Sequence, residues 1–451
     1  MTIGQQVMDA ILAVDIGTQS LKAGIIDASL KLVERQQVAL SIKISSSTHA
    51  EMEAEQIWSA LVDACRGLSQ RHRARGIVFS TLCPSLVPLD SSGTPLHPII
   101  LHLDRRSAAE AAWALEAVGE DVFLNQTGNL PVPGGISLTS ILWLKNRFPD
   151  IYARKDVCFG HAATFVLKRL TDRFLIDPSN ASFTGLYDTV AYTDWNENIC
   201  AALGIDPAKL PQVEDSNRAA GELTTWAAEQ LGLAAGLPVV TGANDTTCAC
   251  VGAEVISEGD LLNTSGTVDI LVLCLDKPLV SRRHLLRTHA YPGKWLAMRT
   301  VGAGGGSLEW FRQNFCREMS KETFYGNYLT DVLAGQPANR ATFLPFLSGN
   351  RHQVGQATGS FNNLTLDTTR EELLLALLDG IVSFQFEELA HWKNHVALNR
   401  IIKHVGGGAK SAYTTFKQSR LEDFELRMLG ETTLIGAARL AFETLNSNTG
   451  K

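Results

Sequence analysis

The chain has 451 residues, a formal net charge of −7 and 45% hydrophobic residues. A length of this order predicts two or three domains, with room for a cleft between them. The acidic balance and the lack of a long basic run argue against nucleic acid or an anionic membrane as the main partner. No segment approaches the ~18 uninterrupted apolar residues of a membrane helix. Residues 1–9 lack the cationic start and apolar run of a signal peptide.

The eight cysteines are scattered along the chain, and only Cys248 and Cys250 stand close together. No second pair completes the spacing of a zinc site, so free thiols in a reducing cytoplasm are the expectation. The one basic stretch, residues 65–75, is interpreted as a solvated helix end and loop.

Two apolar runs around a polar turn predict a β-hairpin over residues 12–26. Gly17 lets the backbone approach a phosphate closely, with N–H groups free to point at the anion. Thr18 adds a hydroxyl donor and Lys22 adds positive charge. Asp15 would repel a phosphate unless a divalent cation lies between them. The turn therefore indicates binding of a metal–nucleotide complex, and an ordinary hairpin turn stabilised by Asp15 is the alternative.

The rest of the first half alternates between strand-like and helix-like segments. Apolar residues at helical spacing, a strand-like stretch and turn residues predict helices over 53–68, 108–118 and 138–147, a strand over 76–89, a turn at 90–93 and a loop at 131–135.

A second cycle begins near residue 238 and repeats the logic of the opening segment. A strand ends at residues 239–242, and small residues from Asp245 onward can open a helix. Residues 260–274 then form two apolar runs around the turn at 263–267. Two hydroxyl–glycine turns between strands indicate an internal duplication, in which each half presents one turn to a shared cleft.

Two glycine clusters follow, at residues 302–307 and 406–411. The first precedes an amphipathic helix with Trp310 and Phe311, and the second follows a strand over residues 400–405. Either cluster can place backbone N–H groups at a helix N-terminus, where anions or nucleobases bind. Tight strand-to-helix connections are the alternative. Residues 431–440 are typical of a compact helix.

These segments, in this order, resemble the FGGY family of carbohydrate kinases across almost the whole chain. The motifs that carry the resemblance are residues 15–18 and 264–267 for phosphate, 242–245 for the catalytic aspartate, 407–411 for adenosine, and 135–146 and 359–380 for the two family signatures. The resemblance implies an α/β fold of two actin-like (ribonuclease H-like) domains with a central interdomain cleft. It further implies an N-terminal domain, 1–245, that binds sugar and holds the first phosphate motif, and a C-terminal domain, 246–451, that binds nucleotide.

Residues 127–131, 134–137 and 177–182 are most similar to the xylulokinase-like branch, which phosphorylates pentuloses. Several positions depart from the family pattern. Residues 82–85, Leu-Cys-Pro-Ser, stand where the xylulokinase-like branch has a sugar-contacting Gln-Met-His-Gly stretch. Glycerol kinases have an Arg-Glu pair there, so Cys83 and Pro84 argue against a glycerol kinase. The other departures, in the two signatures and after the adenosine motif, are Ser140, Asn363, Thr414, Phe416 and Arg420.

The resemblance assigns roles to individual residues. Asp245 is the expected catalytic base and also a substrate contact; a helix N-cap is its alternative role. Asn244 and Asp104 are expected to bind the sugar, with an exposed turn as the alternative for Asp104. Asp15 is the expected Mg²⁺ ligand. The residues expected around ATP and its phosphates are Gly17, Thr18, Gln19, Ser20, Lys22, Ser265, Gly266, Thr267, Gly305, Gly408, Ala409 and Tyr413.

The expected activity is transfer of the γ-phosphate of ATP to a hydroxyl of a small sugar, first of all a pentulose such as xylulose. Another ketose or polyol, or a low-activity sugar- or nucleotide-binding regulator of the same fold, is the alternative. ATP and Mg²⁺ are the expected cofactors. A cytoplasmic monomer or homodimer, with no nucleic-acid or membrane partner, completes the expectation.

Overall fold

The computed structural model describes residues 9–46, 48–335, 340–355, 357–406 and 412–448. In chain order, the strands are β1 (Ala10–Ile16), β2 (Ser20–Asp27), β3 (Leu32–Ala39), β4 (Lys43–Ser46), β5 (His49–Met52), β6 (Ile77–Thr81), β7 (Ser85–Leu89), β8 (Ile99–Leu101), β9 (Cys158–Gly160), β10 (Leu175–Ile176), β11 (Gln212–Val213), β12 (Ala219–Glu222), β13 (Pro238–Asn244), β14 (Leu261–Ser265), β15 (Asp269–Leu275), β16 (Leu285–Thr288), β17 (Trp295–Val301), β18 (Thr342–Leu344), β19 (Ser360–Asn362), β20 (Ile401–Val405) and β21 (Glu425–Met428).

The helices are α1 (Ala54–Ser69), α2 (Ala108–Val118), α3 (Glu120–Thr127), α4 (Leu138–Arg147), α5 (Pro149–Ala153), α6 (Ala162–Thr171), α7 (Pro178–Ala181), α8 (Glu197–Leu203), α9 (Thr225–Leu231), α10 (Asp245–Gly252), α11 (Gly304–Phe315), α12 (Lys321–Thr323), α13 (Leu329–Gly335), α14 (Arg370–Trp392), α15 (Ala412–Ser419) and α16 (Thr433–Asn448). A 3₁₀ turn spans Pro207–Lys209 and a π-helical turn spans Phe324–Tyr328.

The first large sheet has the strand order β12-β13-β6-β1-β2-β3. Strands β1, β2 and β3 form an antiparallel meander, while β6 and β13 run parallel to β1. Both faces are covered, so β1 is buried along its whole length and appears in the sequence as a continuous apolar run. Leu12 and Val14 pack toward α1, and Ile11 and Ala13 pack toward α16.

The second large sheet repeats this arrangement. Its order is β16-β17-β15-β14-β20-β21, with β14, β15 and β17 antiparallel and β20 and β21 parallel to β14. Five adjacent strands of the second sheet, in the order β17-β15-β14-β20-β21, therefore match five of the first sheet, β3-β2-β1-β6-β13, in order and direction. This match confirms the predicted duplication and the two-domain α/β architecture. Helices α11, α14 and α15 cover one face of this sheet, and α10 covers the other.

Helices α10 and α16 lie between the two large sheets. Leu434, Ala437 and Ala438 of α16 pack on the first sheet, although they lie near the end of the chain. Small residues allow the two helices to cross closely: a Cβ at Gly436 would lie 1.9 Å from the carbonyl oxygen of Cys248. The C-terminal helix thus joins the core of the N-terminal sheet.

Most predicted elements are confirmed, including α2 and α4 at their predicted bounds. The single strand predicted over residues 76–89 is wrong. It consists of β6 and β7, which lie in different sheets and are separated by residues 82–84. Helix α16 also continues past the predicted end at residue 440, because Ala441 and Phe442 extend its buried face. All eight cysteines are free thiols, as predicted.

Candidate active site

The two hydroxyl–glycine turns face one cavity of about 770 Å³. The cavity lies where the first and second sheets meet α10 and the start of α16. The residues that line it are Thr18, Lys22, Arg35, Asp245, Thr246, Ala249, Thr264, Ser265, Gly266, Val268, Ile270, Val405, Gly406, Leu429, Gly430, Glu431, Thr432 and Thr433. The structure therefore brings together Thr18, Lys22, Asp245, Ser265 and Gly266, which the sequence predicts as site residues.

The first turn is closed by the backbone N–H of Gly17, which donates to the carbonyl oxygen of Ser20 at 3.1 Å. This bond continues the antiparallel register of β1 and β2, in which Ile16 faces Leu21. Ser20 Oγ accepts a hydrogen bond from Gln37, and Gln19 is exposed. Thr18 and Lys22 line the cavity, whereas Gln19 and Ser20 lie beside it.

Asp15 ends β1 beneath this turn and is buried. Its Oδ1 accepts a hydrogen bond from Ser80 Oγ at 2.9 Å, and its Oδ2 lies 3.5 Å from Lys22 Nζ. Burial raises the pKa of the Asp15 carboxyl, and the charge of Lys22 opposes that rise. One partly exposed lysine compensates this buried carboxylate poorly.

Asp245 begins α10, directly after β13. Between Val240 and Ala243 the register of β13 against β6 shifts, which marks a β-bulge. Gly242 permits this bulge because its φ is +75° and a Cβ would lie 1.9 Å from the carbonyl oxygen of Phe79. Bulges re-aim side chains near active sites, and this one directs the end of β13 toward the cavity.

The N-cap of α10 is Asn244, whose Oδ1 accepts from the backbone N–H of Thr247 at 2.9 Å. Capping is thus done by Asn244, and Asp245 is left at the cavity wall. One carboxylate oxygen of Asp245 accepts from the N–H of Thr246 at 2.7 Å. Burial, followed by repulsion from Asp15, raises the pKa of Asp245 to about 6. A carboxyl with this pKa is ionised at neutral pH and is a better proton acceptor than an ordinary aspartate.

The second turn is contacted by Gly305 and Gly306 of the first glycine cluster and by Gly406. The N–H of Gly305 donates to the carbonyl oxygen of Gly266 at 3.0 Å, and that of Gly306 donates to Thr267 at 3.2 Å. A Cβ at Gly406 would lie 2.2 Å from the carbonyl oxygen of Ser265. These glycines therefore pack against the turn, and Gly266 and Thr267 stay exposed at its tip.

A buried charge cluster lies beneath the second turn. The Lys417 ammonium pairs with Asp269, and both side chains are fully buried. Asp269 also accepts from Asn263 at 2.9 Å and from Ser265 Oγ at 3.1 Å. The nearby Lys417 lowers the pKa of Asp269 despite its burial. This network fixes Ser265 from below and links the turn to α15.

Two predicted ligand contacts have other partners within the protein. Both carboxylate oxygens of Asp104 bind Arg106, at 2.7–2.9 Å, and Asp104 Oδ2 also accepts from the N–H of Ala50. Arg106 reaches Glu51 as well, at 2.7 Å. Tyr413 is buried in the core, with its hydroxyl 3.4 Å from Asp269. These contacts favour structural roles for Asp104 and Tyr413. Contact of Asp104 with the sugar and of Tyr413 with ATP stays a prediction.

Two predicted nucleotide contacts, Gly408 and Ala409, lie outside the described residues. Sequence reasoning missed Arg35 of β3 and the segment before α16, including Glu431, which also line the cavity. Arg35 gives no local signal, since it belongs to an alternating edge-like strand, whose polar residues ordinarily face solvent. Only the return of α16 to the first sheet brings Glu431 within range of Arg35, at 3.9 Å.

The residues present fit a divalent cation. Asp15 and Asp245 lie close enough that Asp15 raises the pKa of Asp245, and carboxylate oxygens are the ligands that Mg²⁺ prefers. Of the two, Asp15 is the expected ligand, since Asp245 faces the cavity as the expected base.

No helix in the described part of the chain combines the length and apolar character that a membrane span requires. The chain matches the model of the N-terminal domain of the FGGY family of carbohydrate kinases over residues 10–252, and that of the C-terminal domain over residues 261–443.

Individual relatives agree with these matches. A xylulose kinase of Staphylococcus xylosus is 28% identical over 414 residues, covering 90% of this chain and 84% of the relative. A gluconokinase of Bacillus subtilis is 27% identical over 385 residues, covering 82% of this chain and 74% of the relative. A crystal structure described as a "xyloylose kinase" from Brucella ovis superposes with a TM-score of 0.85 at 25% identity, covering 98% of this chain and 91% of that one. With two matched domains, a duplicated fold and a shared cavity, the chain belongs to the FGGY family of carbohydrate kinases, phosphotransferases with an alcohol group as acceptor.

Proposed function

We propose that this chain is an ATP-dependent kinase that transfers the γ-phosphate of ATP to a hydroxyl of a small sugar. The observation that carries the proposal is the shared cavity, where Thr18 and Lys22 of one half face Ser265 and Gly266 of the other. Asp245 lies on the wall of the same cavity. Phosphoryl transfer depends on positioning and charge stabilisation, which two opposed turns supply to a triphosphate.

Asp245 acts as the general base. As the sugar oxygen forms its bond to the γ-phosphorus, the bond from that phosphorus to the bridging oxygen breaks and ADP leaves. The carboxylate of Asp245 accepts the proton of the attacking hydroxyl. Its pKa of about 6 keeps it ionised at neutral pH.

Lys22 and the hydroxyl of Thr18, which line the cavity, stabilise the charge of the transferred phosphate. Lys22 also compensates Asp15, from which it lies 3.5 Å away. Mg²⁺ held by Asp15 would supply further neutralisation of phosphate charge. The contact between Gly305 and Gly266 keeps the second turn in place during this step.

The duplicated design predicts closure of the cleft when both ligands bind, because water competes with the sugar as acceptor. Small-angle scattering checks this. Closure requires a smaller radius of gyration with sugar and a non-hydrolysable ATP analogue together, and equal profiles with and without ligands would contradict it.

A pentulose such as xylulose is the first acceptor to test, because the sequence resembles the xylulokinase-like branch and relatives include xylulose kinases. The apolar segment at residues 82–84 makes another ketose or polyol the alternative, and the relatives named gluconokinase add sugar acids to the panel. A low-activity regulator is disfavoured because both turns and Asp245 are retained. We expect a cytoplasmic monomer or homodimer.

The experiment is a coupled ADP-release assay over ketoses, polyols and sugar acids with wild type, Asp245→Ala and a control variant. Asp276→Ala is a suitable control, because Asp276 is an exposed aspartate that pairs with Lys294 outside the cavity. Acceptor-dependent ADP release in wild type and the control, lost in Asp245→Ala with ATP binding retained, is the expected result. No ADP release with any acceptor would overturn the proposal.

A further inference from the structure

Three arginine side chains, Arg105, Arg287 and Arg351, form a group that we call the arginine cluster. Their connections run through glycines and backbone carbonyls. Arg287 Nη2 donates to the carbonyl oxygen of Gly135 at 3.3 Å, and a Cβ on the adjacent Gly134 would lie 2.0 Å from Arg105 Nη1. Arg105 and Arg287 therefore pack against the same two-residue segment.

Arg351 joins the cluster through the loop that precedes β19. Arg105 Nη2 donates to the carbonyl oxygen of Ser348 at 3.4 Å, three residues before Arg351. A Cβ at Gly302 would lie 2.4 Å from Ser348 Oγ and 3.7 Å from Arg351 Nε, so Arg351 and Ser348 share one glycine contact. The cluster thus combines residues from both sequence halves.

The cluster has unsatisfied donors deep in the protein. Arg287 is fully buried and Arg351 is 8% exposed. Arg287 Nε has no hydrogen-bond partner among the described residues, nor do Arg351 Nε and Nη2. Buried charged groups are normally paired with a counter-charge, so these open guanidinium donors are suited to an anionic ligand.

No carboxylate of the described chain forms an ion pair with the cluster. Asp104, which adjoins Arg105 in sequence, is bound by Arg106 through both carboxylate oxygens. Burial, followed by the charges of Arg105 and Arg287, lowers the pKa of Arg351 to about 9. Burial lowers the pKa of Arg287 to about 9 as well. Both remain protonated at neutral pH, so the cluster carries positive charge, which Asp104 offsets in part at Arg105. The undescribed residues of the sequence include no aspartate or glutamate.

A path of contacts leads from the cluster toward the candidate base. Arg287 Nη1 donates to the carbonyl oxygen of Ser182 at 3.2 Å, and the nearby Asn180 side chain binds Thr81 at 3.2 Å. Thr81 pairs across the sheet with Asn244, the residue before Asp245. The Cys83 thiol lies within electrostatic range of both ends of this path: burial, then Asp177 and more weakly Asp245, raise its pKa, and Arg287 opposes them.

We propose that the acceptor is an anionic sugar, with a carboxylate or phosphate ester bound by the arginine cluster and a hydroxyl presented to Asp245. The proposal rests on the kinase activity proposed above and narrows its acceptor. Guanidinium groups bind carboxylates and phosphates through paired, charge-assisted hydrogen bonds. A neutral pentulose would leave the buried donors of Arg287 and Arg351 without a counter-charge, whereas an anionic acceptor supplies one.

The test compares pairs of acceptors that differ at one anionic group. Wild type is assayed for ADP release with aldonic acids and the matching alditols, such as D-gluconate against D-sorbitol. A second arm compares D-xylulose 5-phosphate with D-xylulose, which separates a phosphate from a carboxylate as the anion. A charge-assisted hydrogen bond to a buried guanidinium is worth about 10- to 100-fold in binding, so kcat/KM is expected to favour one anionic series by at least about that factor.

Variants identify the cluster as the cause. Arg287→Gln and Arg105→Gln should each lower kcat/KM for the preferred anion about 10- to 100-fold and change it little for the neutral partner. Arg299→Gln is the matched control. Arg299 is a buried arginine whose guanidinium donates to the carbonyl oxygens of Phe384 and Arg283. It should leave the anion preference unchanged. Thermal melting and ATP binding verify folding. If Arg287→Gln does not fold, the result for Arg105→Gln tests the proposal on its own.

The outcomes separate the two proposals. Neutral acceptors that match or exceed their anionic partners, with ADP release intact, would overturn the anionic acceptor and leave the kinase standing. If no acceptor, neutral or anionic, supports ADP release, the proposed kinase activity is overturned. In that case calorimetry with the same anions tests whether the arginine cluster binds an anion. Binding to wild type that is lost in Arg105→Gln supports an anion site, and absence of binding to wild type overturns it.

Discussion

Replacing Asp245 by asparagine should abolish turnover and stabilise the protein. In the folded chain the pKa of Asp245 is raised from 3.8 to about 6, first by burial and then by repulsion from Asp15. A pKa difference of one corresponds to about 1.4 kcal/mol, so ionised Asp245 costs the fold up to about 3 kcal/mol at neutral pH. Asparagine removes the charge and keeps the oxygen that accepts from Thr246.

The gain has a definite pH dependence. A carboxyl whose folded pKa lies above its unfolded pKa costs stability as the pH rises through both values. The gain from Asp245→Asn is therefore absent below pH 3.8, about half complete at about pH 5 and full above about pH 7. At about 2.1 cal/mol/K of unfolding entropy per residue, 3 kcal/mol corresponds to about 3 °C in Tm for 451 residues unfolding together.

The assay is thermal melting of wild type and Asp245→Asn at about pH 5 and about pH 7.5, with ADP release measured in parallel. Turnover should fall by about 10²- to 10⁴-fold, while ATP binding changes little. In wild type, kcat/KM should decline as the pH falls through about 6. A variant that melts lower than wild type at neutral pH, or one that retains turnover, would refute the assignment of Asp245 as a strained base.

Three further variants probe the two turns. Lys22→Gln removes the cation 3.5 Å from Asp15 and should lower kcat about 100-fold; a steady-state assay showing less than a threefold loss would contradict its role. Gly305→Ala places a Cβ 2.6 Å from the carbonyl oxygen of Gly266, and the displaced turn should raise KM for ATP about tenfold, which an unchanged ATP titration would disprove. Asp269→Asn leaves the buried Lys417 ammonium unpaired and should cost about 3–5 kcal/mol in denaturant unfolding; a loss under about 1 kcal/mol would show that the pair is dispensable.

The fold was largely predictable because its core strands carry strong local signals. Strand β1 is buried on both faces, so its apolar run is long and ends sharply at Asp15. The second hairpin, β14 and β15, repeats that pattern. The run over residues 76–89 misled the prediction because both β6 and β7 are fully buried. A buried stretch of this kind does not reveal that the chain changes sheet between β6 and β7.

The site was predictable where a turn carries its own chemistry, as with Thr18, Lys22 and Ser265. It was not predictable where partners come from distant parts of the chain. Arg35 and Glu431 reach the cavity because α16 packs on the first sheet, a contact between the two ends of the sequence. Arginine side chains are ordinarily exposed, so the burial of the arginine cluster is likewise visible only in the folded protein.

The most direct test of the central claim is a crystal structure with Mg²⁺ and a non-hydrolysable ATP analogue. We predict that the γ-phosphate lies between the turn at Gly17–Thr18 and the turn at Ser265–Gly266, with Asp245 facing it across the acceptor position. A nucleotide bound outside this cavity, or a γ-phosphate in contact with only one turn and remote from Asp245, would contradict the account.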